Sequence, residues 1–154
     1  MRIALASDHA GFTLKDHLAM ALASGGHDVL DVGTGGPDSV DYPQYAAPAA
    51  RLVADGEADK GVLVCGSGNG VAIVANKVPG IRAVNAHDTD EAEMARRHND
   101  ANVVTLSGAR LSADAADAIV ATFLSTEFDG GRHARRVDQI TAIETDPTAT
   151  ETPA

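Results

Sequence analysis

Five short apolar runs recur along this chain, and a segment of helical period separates each from the next. The runs are RIALAS (2–7), DVLDVG (28–33), GVLVC (61–65), IRAVNA (81–86) and NVVTLSG (102–108). Between the first two, Leu14, Leu18 and Leu22 recur every four residues, and Gly25-Gly26 ends the pattern as a helix C-cap does. Helices are likewise predicted over QYAAPAARLVADG, VAIVANK and DTDEAEMARRH, with Pro48 tolerable only near the first turn of its helix. A long amphipathic segment, SADAADAIVATFLST, lines up Ala116, Ile119, Val120, Phe123 and Leu124 on one face, and RHARRVDQITAIE (132–144) reads as a last helix. Strands that alternate with helices at this spacing imply right-handed crossovers and a parallel sheet with helices on both faces, an α/β fold of three layers. One domain over residues 1–144 is predicted, with TDPTATETPA (145–154) as a disordered polar tail. Aromatics are only 3% of the chain and Trp is absent, so alanine, valine and leucine must build the core.

A formal net charge of −10 excludes a general binder of nucleic acid or anionic membrane, which needs clustered cations. A small anion is still allowed where a few of the twelve Lys and Arg converge. One cysteine excludes an intrachain disulfide and fits a reducing compartment. MRIALASDHAG has too short an apolar stretch for a signal peptide, and no segment approaches a membrane span, so a soluble cytoplasmic protein is expected.

Open parallel sheets bind ligands beyond the carboxyl ends of their strands. That rule selects Ser7-Asp8-His9, Cys65 to Gly70, Ala86-His87 and Ser107 to Arg110. In CGSGNG, Gly66, Gly68 and Gly70 let backbone N–H groups point inward at a helix start, as in a phosphate or oxyanion cradle. It is not the dinucleotide fingerprint, whose third glycine would fall at Val71, and not a P-loop, because Lys77 lacks the flanking Gly and Ser/Thr. Cys65 at such a turn reads either as a small buried hydrophobe or as an activated thiol, since amide dipoles and a helix N-terminus lower a thiol pKa. A thiolate there suits a nucleophile for acyl or phosphoryl transfer, or a base that removes a proton α to a carbonyl while amides hold the enolate oxygen.

Asp8 reads as a cap on the helix that begins near Gly11 or, with His9, as a proton or phosphate handler. His98, in ARRHNDAN, either complements a helix C-terminal dipole or serves as a general acid–base. His17 and His27 read as surface residues, and no histidine pair has ligand spacing, so no metal site is predicted. GGRHARRVD places Arg132 and Arg136 on one helix face beside His133, where like charges repel unless an anion lies between them. With Arg110 they make a trio suited to a phosphate monoester.

The segments SDHAG, DYP, CGSGNG…ANK, HNDANV and GGRH…RVD occur in this order and spacing in the ribose-5-phosphate isomerase B / galactose-6-phosphate isomerase family, which the chain resembles over about residues 2–144. The resemblance implies a Rossmann-like domain with a five-stranded parallel sheet and a C-terminal helix packed across a dimer. It implies isomerisation of a small-molecule sugar phosphate without metal or cofactor, in a homodimer or dimer of dimers with active sites at the subunit interface. Carried over residue by residue, Cys65 is similar to the family's base and acts through an enediolate. Ser67 and the amides of Gly66, Gly68, Asn69 and Gly70 match the groups that hold the enediolate oxygen. Asp8 and His98 match the ring-opening pair, with His98 from the partner chain, and Asn99 a substrate contact. His9, Arg110, Arg132 and Arg136 match phosphate ligands, with His133 nearby. Members without the cysteine place a glutamate six residues later, and here that position is Val71. Ribose 5-phosphate is the expected substrate, against an allose, galactose or erythrulose phosphate, or a non-catalytic sugar-phosphate sensor on the same fold.

Overall fold

The computed structural model describes residues 1–150. Five parallel strands, β1 (Arg2–Ser7), β2 (Asp28–Asp31), β3 (Lys60–Cys65), β4 (Ala83–Asn85) and β5 (Val103–Ser107), form one sheet. Their order is β2-β1-β3-β5-β4. Six helices join them: α1 (Phe12–Ser24), α2 (Pro43–Ala54), α3 (Asn69–Ala75), α4 (Thr89–Asn99), α5 (Ala113–Ser125) and α6 (Arg132–Ile143). No helix among the described residues is long and apolar enough to cross a membrane.

Strand alternation sorts the core into two layers. Ile3, Leu5, Val62, Val64, Val104 and Leu106 meet Leu14, Leu18 and Leu22 of α1, Ala92 and Ala95 of α4, and Ile119, Val120 and Phe123 of α5. Ala4, Ala6, Leu63, Cys65 and Val103 face Ala46, Ala49, Ala50 and Val53 of α2 and Val71 and Ala75 of α3. Alanine on both sides of the second layer lets those helices lie close to the sheet. Each fully buried Leu, Ile or Phe contributes about 1.5–3 kcal/mol of transfer free energy.

Two local outcomes differ from the sequence reading. Helix α2 starts at Pro43, so Pro48 is inside the helix rather than in its first turn. It costs one backbone hydrogen bond, yet the helix continues because Ala46, Ala49, Ala50 and Val53 are buried on the sheet. The fourth run shortens to three paired residues because β4 is an edge strand. At the end of the chain Thr148 donates its N–H and hydroxyl to Asp146 Oδ1 in a turn, while residues 151–154 of the expected tail lie outside the described residues.

The topology decides what can meet. Helix α4 leaves the carboxyl end of β4, runs antiparallel to the strands and returns to the amino end of β5. Its 11 residues span about 16 Å, so its last turn lies at the opposite edge of the sheet from Cys65.

Candidate active site

At the carboxyl edge, β3 ends in Cys65 and the chain turns through Gly66–Gly68 into α3. Cys65 is buried, 4% exposed, and Gly68 donates its backbone N–H to Sγ at 3.2 Å. That bond strengthens as negative charge develops on sulfur. Gly68 has φ +79°, the left-handed region, and a Cβ there would lie 2.3 Å from Asn85 Oδ1. Only glycine fits this position.

The amides of the turn divide their work. Asn69 N–H is bonded to Ser67 Oγ at 3.2 Å. Gly68 N–H serves Cys65, so both amides have an acceptor within the turn. Gly70 and Val71, at the start of α3, donate to no acceptor among the described residues, Gly70 half-buried and Val71 buried. Strand β5 anchors the turn from beneath. Ser107 Oγ donates to Gly66 O at 2.7 Å, Thr105 Oγ1 to Gly68 O at 2.9 Å, and Gly108 N–H to Cys65 O at 2.9 Å. Tyr42, in the DYP segment, lays its ring over Gly70. Ser107 falls within the strand-end selection and Tyr42 within the DYP segment, whereas the roles of Thr105 and Asn85 depend on which strands are neighbours.

Asp8 and His9 leave β1 beside this turn. Asp8 is buried and accepts the Gly11 N–H on Oδ1 at 3.1 Å. It braces the turn before α1 rather than the helix itself, whose N-cap is Gly11. His9 Nδ1 accepts the Val40 N–H at 3.2 Å, so in the neutral ring the proton sits on Nε2, outward. Arg110 is exposed just beyond β5 at the same edge.

The other candidates gather at the amino edge. Asp100 caps α4 with φ +45° and pairs with Arg82 at 3.0 Å and Arg96 at 2.8 Å. Arg96 is buried and also donates to Ala101 O, while Asn102 bonds the Arg82 N–H and Gly80 O. The HNDAN segment thereby locks the end of α4 and the position of His98. The His98 ring stacks on His133 of α6, centroids 4.2 Å apart and planes 5° from parallel. Asp129, bonded to Arg97 through both carboxylate oxygens, closes the cluster. Burial first, then the charges of His98, Arg132 and Arg136, holds His133 below the usual histidine range. Asn99 is exposed beside a groove of about 380 Å³ that Ile140 and Ile143 of α6 also line.

Ligand atoms of His98, Asp129 and His133 lie within 4.8 Å of one another, a grouping that sequence spacing did not predict. It suits a cation poorly: Arg97 occupies both Asp129 oxygens, Arg132 and Arg136 stand close, and stacked rings run their in-plane lone pairs side by side. An anion suits it better.

The candidates thus form two groups within one chain. Cys65, Ser67, the glycine turn, Asp8, His9 and Arg110 share one edge; His98, Asn99, Arg132, His133 and Arg136 share the other. Lys60 marks the separation. Burial first, then Arg96, holds its ammonium below the usual lysine range, so the end of α4 lies beside the start of β3. Cys65 ends that same strand, about 16 Å away. The expected trio of Arg110, Arg132 and Arg136 is therefore not assembled inside a single chain.

Comparison with known proteins now adds relatives. A family model described as Ribose/Galactose Isomerase matches residues 3–140. Ribose-5-phosphate isomerase B of Escherichia coli is 43% identical over 143 residues, covering 93% of this chain and 96% of the relative. D-erythrulose-4-phosphate isomerase 2 of Mycolicibacterium smegmatis is 41% identical over 148 residues, covering 94% and 97%. The solved structure of ribose-5-phosphate isomerase B from Clostridium thermocellum superposes with a TM-score of 0.94 at 46% identity, covering 96% of this chain and 99% of that one.

Proposed function

The chain belongs to the ribose/galactose isomerase family, and on that premise we propose that it interconverts D-ribose 5-phosphate and D-ribulose 5-phosphate at a site completed by a second copy of itself. The observation that carries the chemistry is the Cys65 sulfur, buried at the mouth of a glycine turn and met by the Gly68 N–H at 3.2 Å. With Val71 six residues on, no carboxylate stands where another base would be needed.

In the open-chain sugar, the Cys65 thiolate takes the proton from C2 of the aldose and returns it to C1. The hydroxyl proton passes between O2 and O1, so the step gains and loses no atoms. The intermediate enediolate oxygen meets the free N–H groups of Gly70 and Val71 and the Ser67 hydroxyl. Asp8 and the partner's His98 open the furanose ring by moving a proton between ring oxygen and anomeric hydroxyl, and the partner's Asn99 contacts the sugar. His9, through Nε2–H, and Arg110 take the phosphate together with the partner's Arg132 and Arg136, the partner's His133 lying close by. The placement of the two groups on opposite edges supports the second copy, because a two-fold interface that sets one group against the other does so twice, once for each chain. The weak packing of α6 on its own chain, which leaves Ile140 and Ile143 exposed, also supports it.

A second reading keeps the chemistry and changes the sugar. D-erythrulose-4-phosphate isomerase 2 is 41% identical to this chain, against 43% and 46% for two ribose-5-phosphate isomerases, a margin that leaves the sugar to a direct assay. Comparing kcat/KM for four-, five- and six-carbon sugar phosphates decides the substrate, and ribose 5-phosphate is expected to lead. For the base, Cys65→Ala is expected to lose turnover on the order of a thousandfold with binding largely kept. Near-normal turnover in that variant overturns the role of Cys65.

A further inference from the structure

The turn that carries Cys65 is gripped from the side by a residue outside the reaction described above. Asn85 ends β4, and β5 lies between it and β3. Its Nδ2 donates to Ser67 O at 3.2 Å and to Asn69 Oδ1 at 2.7 Å. Both N–H groups of the carboxamide are thus committed to one turn. Its Oδ1 is buried without a hydrogen-bond partner, against the face of Gly68. An orphaned buried acceptor costs stability, so the fold keeps this side chain against its own interest. The reversed amide would set Oδ1 against two other acceptors and leave the donors buried.

The two ends of one peptide group explain what the grip achieves. Ser67 C=O and Gly68 N–H belong to the same planar trans unit and point in opposite directions. Asn85 holds the carbonyl from the β4 side, and the N–H then points at Cys65 Sγ, 3.2 Å away. Donation to the carbonyl also polarises the peptide and strengthens the N–H on its far side.

We propose that Asn85 is a positioning residue: by holding the Ser67–Gly68 peptide it fixes the N–H that meets the Cys65 sulfur. This rests on Cys65 being the base, and the test separates the two ideas. Asn85→Leu removes both donors without adding charge, and Asn85→Asp keeps the shape while replacing the donors with an acceptor. Each is expected to lower kcat roughly ten- to hundredfold with KM little changed. In each, the thiolate absorbance of this single-cysteine chain is expected to appear at higher pH than in the unmodified protein. Thermal melting identifies a variant that fails to fold, and the other then carries the test. A fall in kcat with no movement of the thiolate titration shows a merely structural role and overturns the proposal. Unchanged kcat and unchanged titration in a folded variant also overturn it. If Cys65→Ala keeps turnover, the base assignment falls, while the titration of the Asn85 variants still reports whether the grip reaches the sulfur.

Discussion

Cys65 is held by peptide groups, whereas His98 is held by side chains. Around Cys65 the contacts are backbone or backbone-directed: Gly68 N–H on the sulfur, Ser107 and Thr105 on the turn carbonyls, Gly108 on the Cys65 carbonyl. Around His98 they are a stacked imidazole, the ion pairs Arg97–Asp129, Arg96–Asp100 and Arg82–Asp100, and two arginines on α6. The chemistry proposed above for Cys65 accounts for its side of the contrast. A base and an oxyanion cradle need dipoles fixed before the reaction begins. The exposed pair Arg97–Asp129 contributes little to stability, about 0–1 kcal/mol. The two groups also stand at opposite edges of the sheet, and the function proposed above makes them halves of sites completed between two copies.

The sharpest way to break this picture is to mix inactive chains. Cys65→Ala and His98→Ala homodimers are each expected to be nearly inactive. After dissociation and reassociation together, a mixed dimer has one doubly altered site and one intact site. Random pairing makes about half the dimers mixed, so ~25% of unmutated activity returns. Activity that never returns, with exchange verified by mass, shows that both groups act within one chain and ends the division into halves.

A smaller effect compares two left-handed glycines, one in each half. Gly68→Ala forces φ +79° on an L-residue and drives Cβ to 2.3 Å from Asn85 Oδ1 and 3.0 Å from the Leu106 backbone. A loss of about 3 kcal/mol in stability is expected, with turnover falling further still. Gly130 has φ +63° with nothing within 4 Å of a built Cβ. Gly130→Ala is expected to cost about 1 kcal/mol and to keep most turnover. Equal losses of stability and activity at the two positions would show that the carboxyl-edge half is not the more tightly built.

The same contrast governs what could be read in advance. Alternating runs and helical periods revealed the parallel sheet and its helices because burial on both faces writes itself into local pattern, as in Val62–Leu63–Val64. The glycine turn and HNDAN were visible as strand-end and helix-end segments for the same reason. Sheet order was not, since β5 inserts between β3 and β4 through crossovers that leave no local mark. Asn85, one residue before the selected Ala86-His87, went unnoticed on that account. The stack of His98 on His133 joins positions on two helices whose packing no period encodes. Arg110 and Arg136 looked like one cluster because a sequence shows which charges exist and not which edge each occupies.

The smallest expected effect concerns pH and belongs to the amino-edge half alone. Burial, with His98, Arg132 and Arg136 behind it, lowers His133 from its ordinary 6.5. The fold therefore favours the neutral ring. Above about pH 6.5 both states carry it neutral and stability is whole. As pH falls below 6.5 toward the lower folded value, the unfolded chain takes up a proton that the folded chain refuses. Stability declines through that window and then levels. Asp129 works in a different one: bonding to Arg97 holds its carboxyl below the usual 3.8, so its contribution is present above 3.8 and lost only as pH falls further. Melting temperatures from about pH 8 to about pH 5 should fall by a few degrees in the unmodified protein. His133→Asn, neutral throughout, should flatten that slope, while Gly68→Ala should melt lower with the slope unchanged. A slope that survives in His133→Asn assigns the titration to another group, and a slope altered by Gly68→Ala means that the two halves are coupled within one chain.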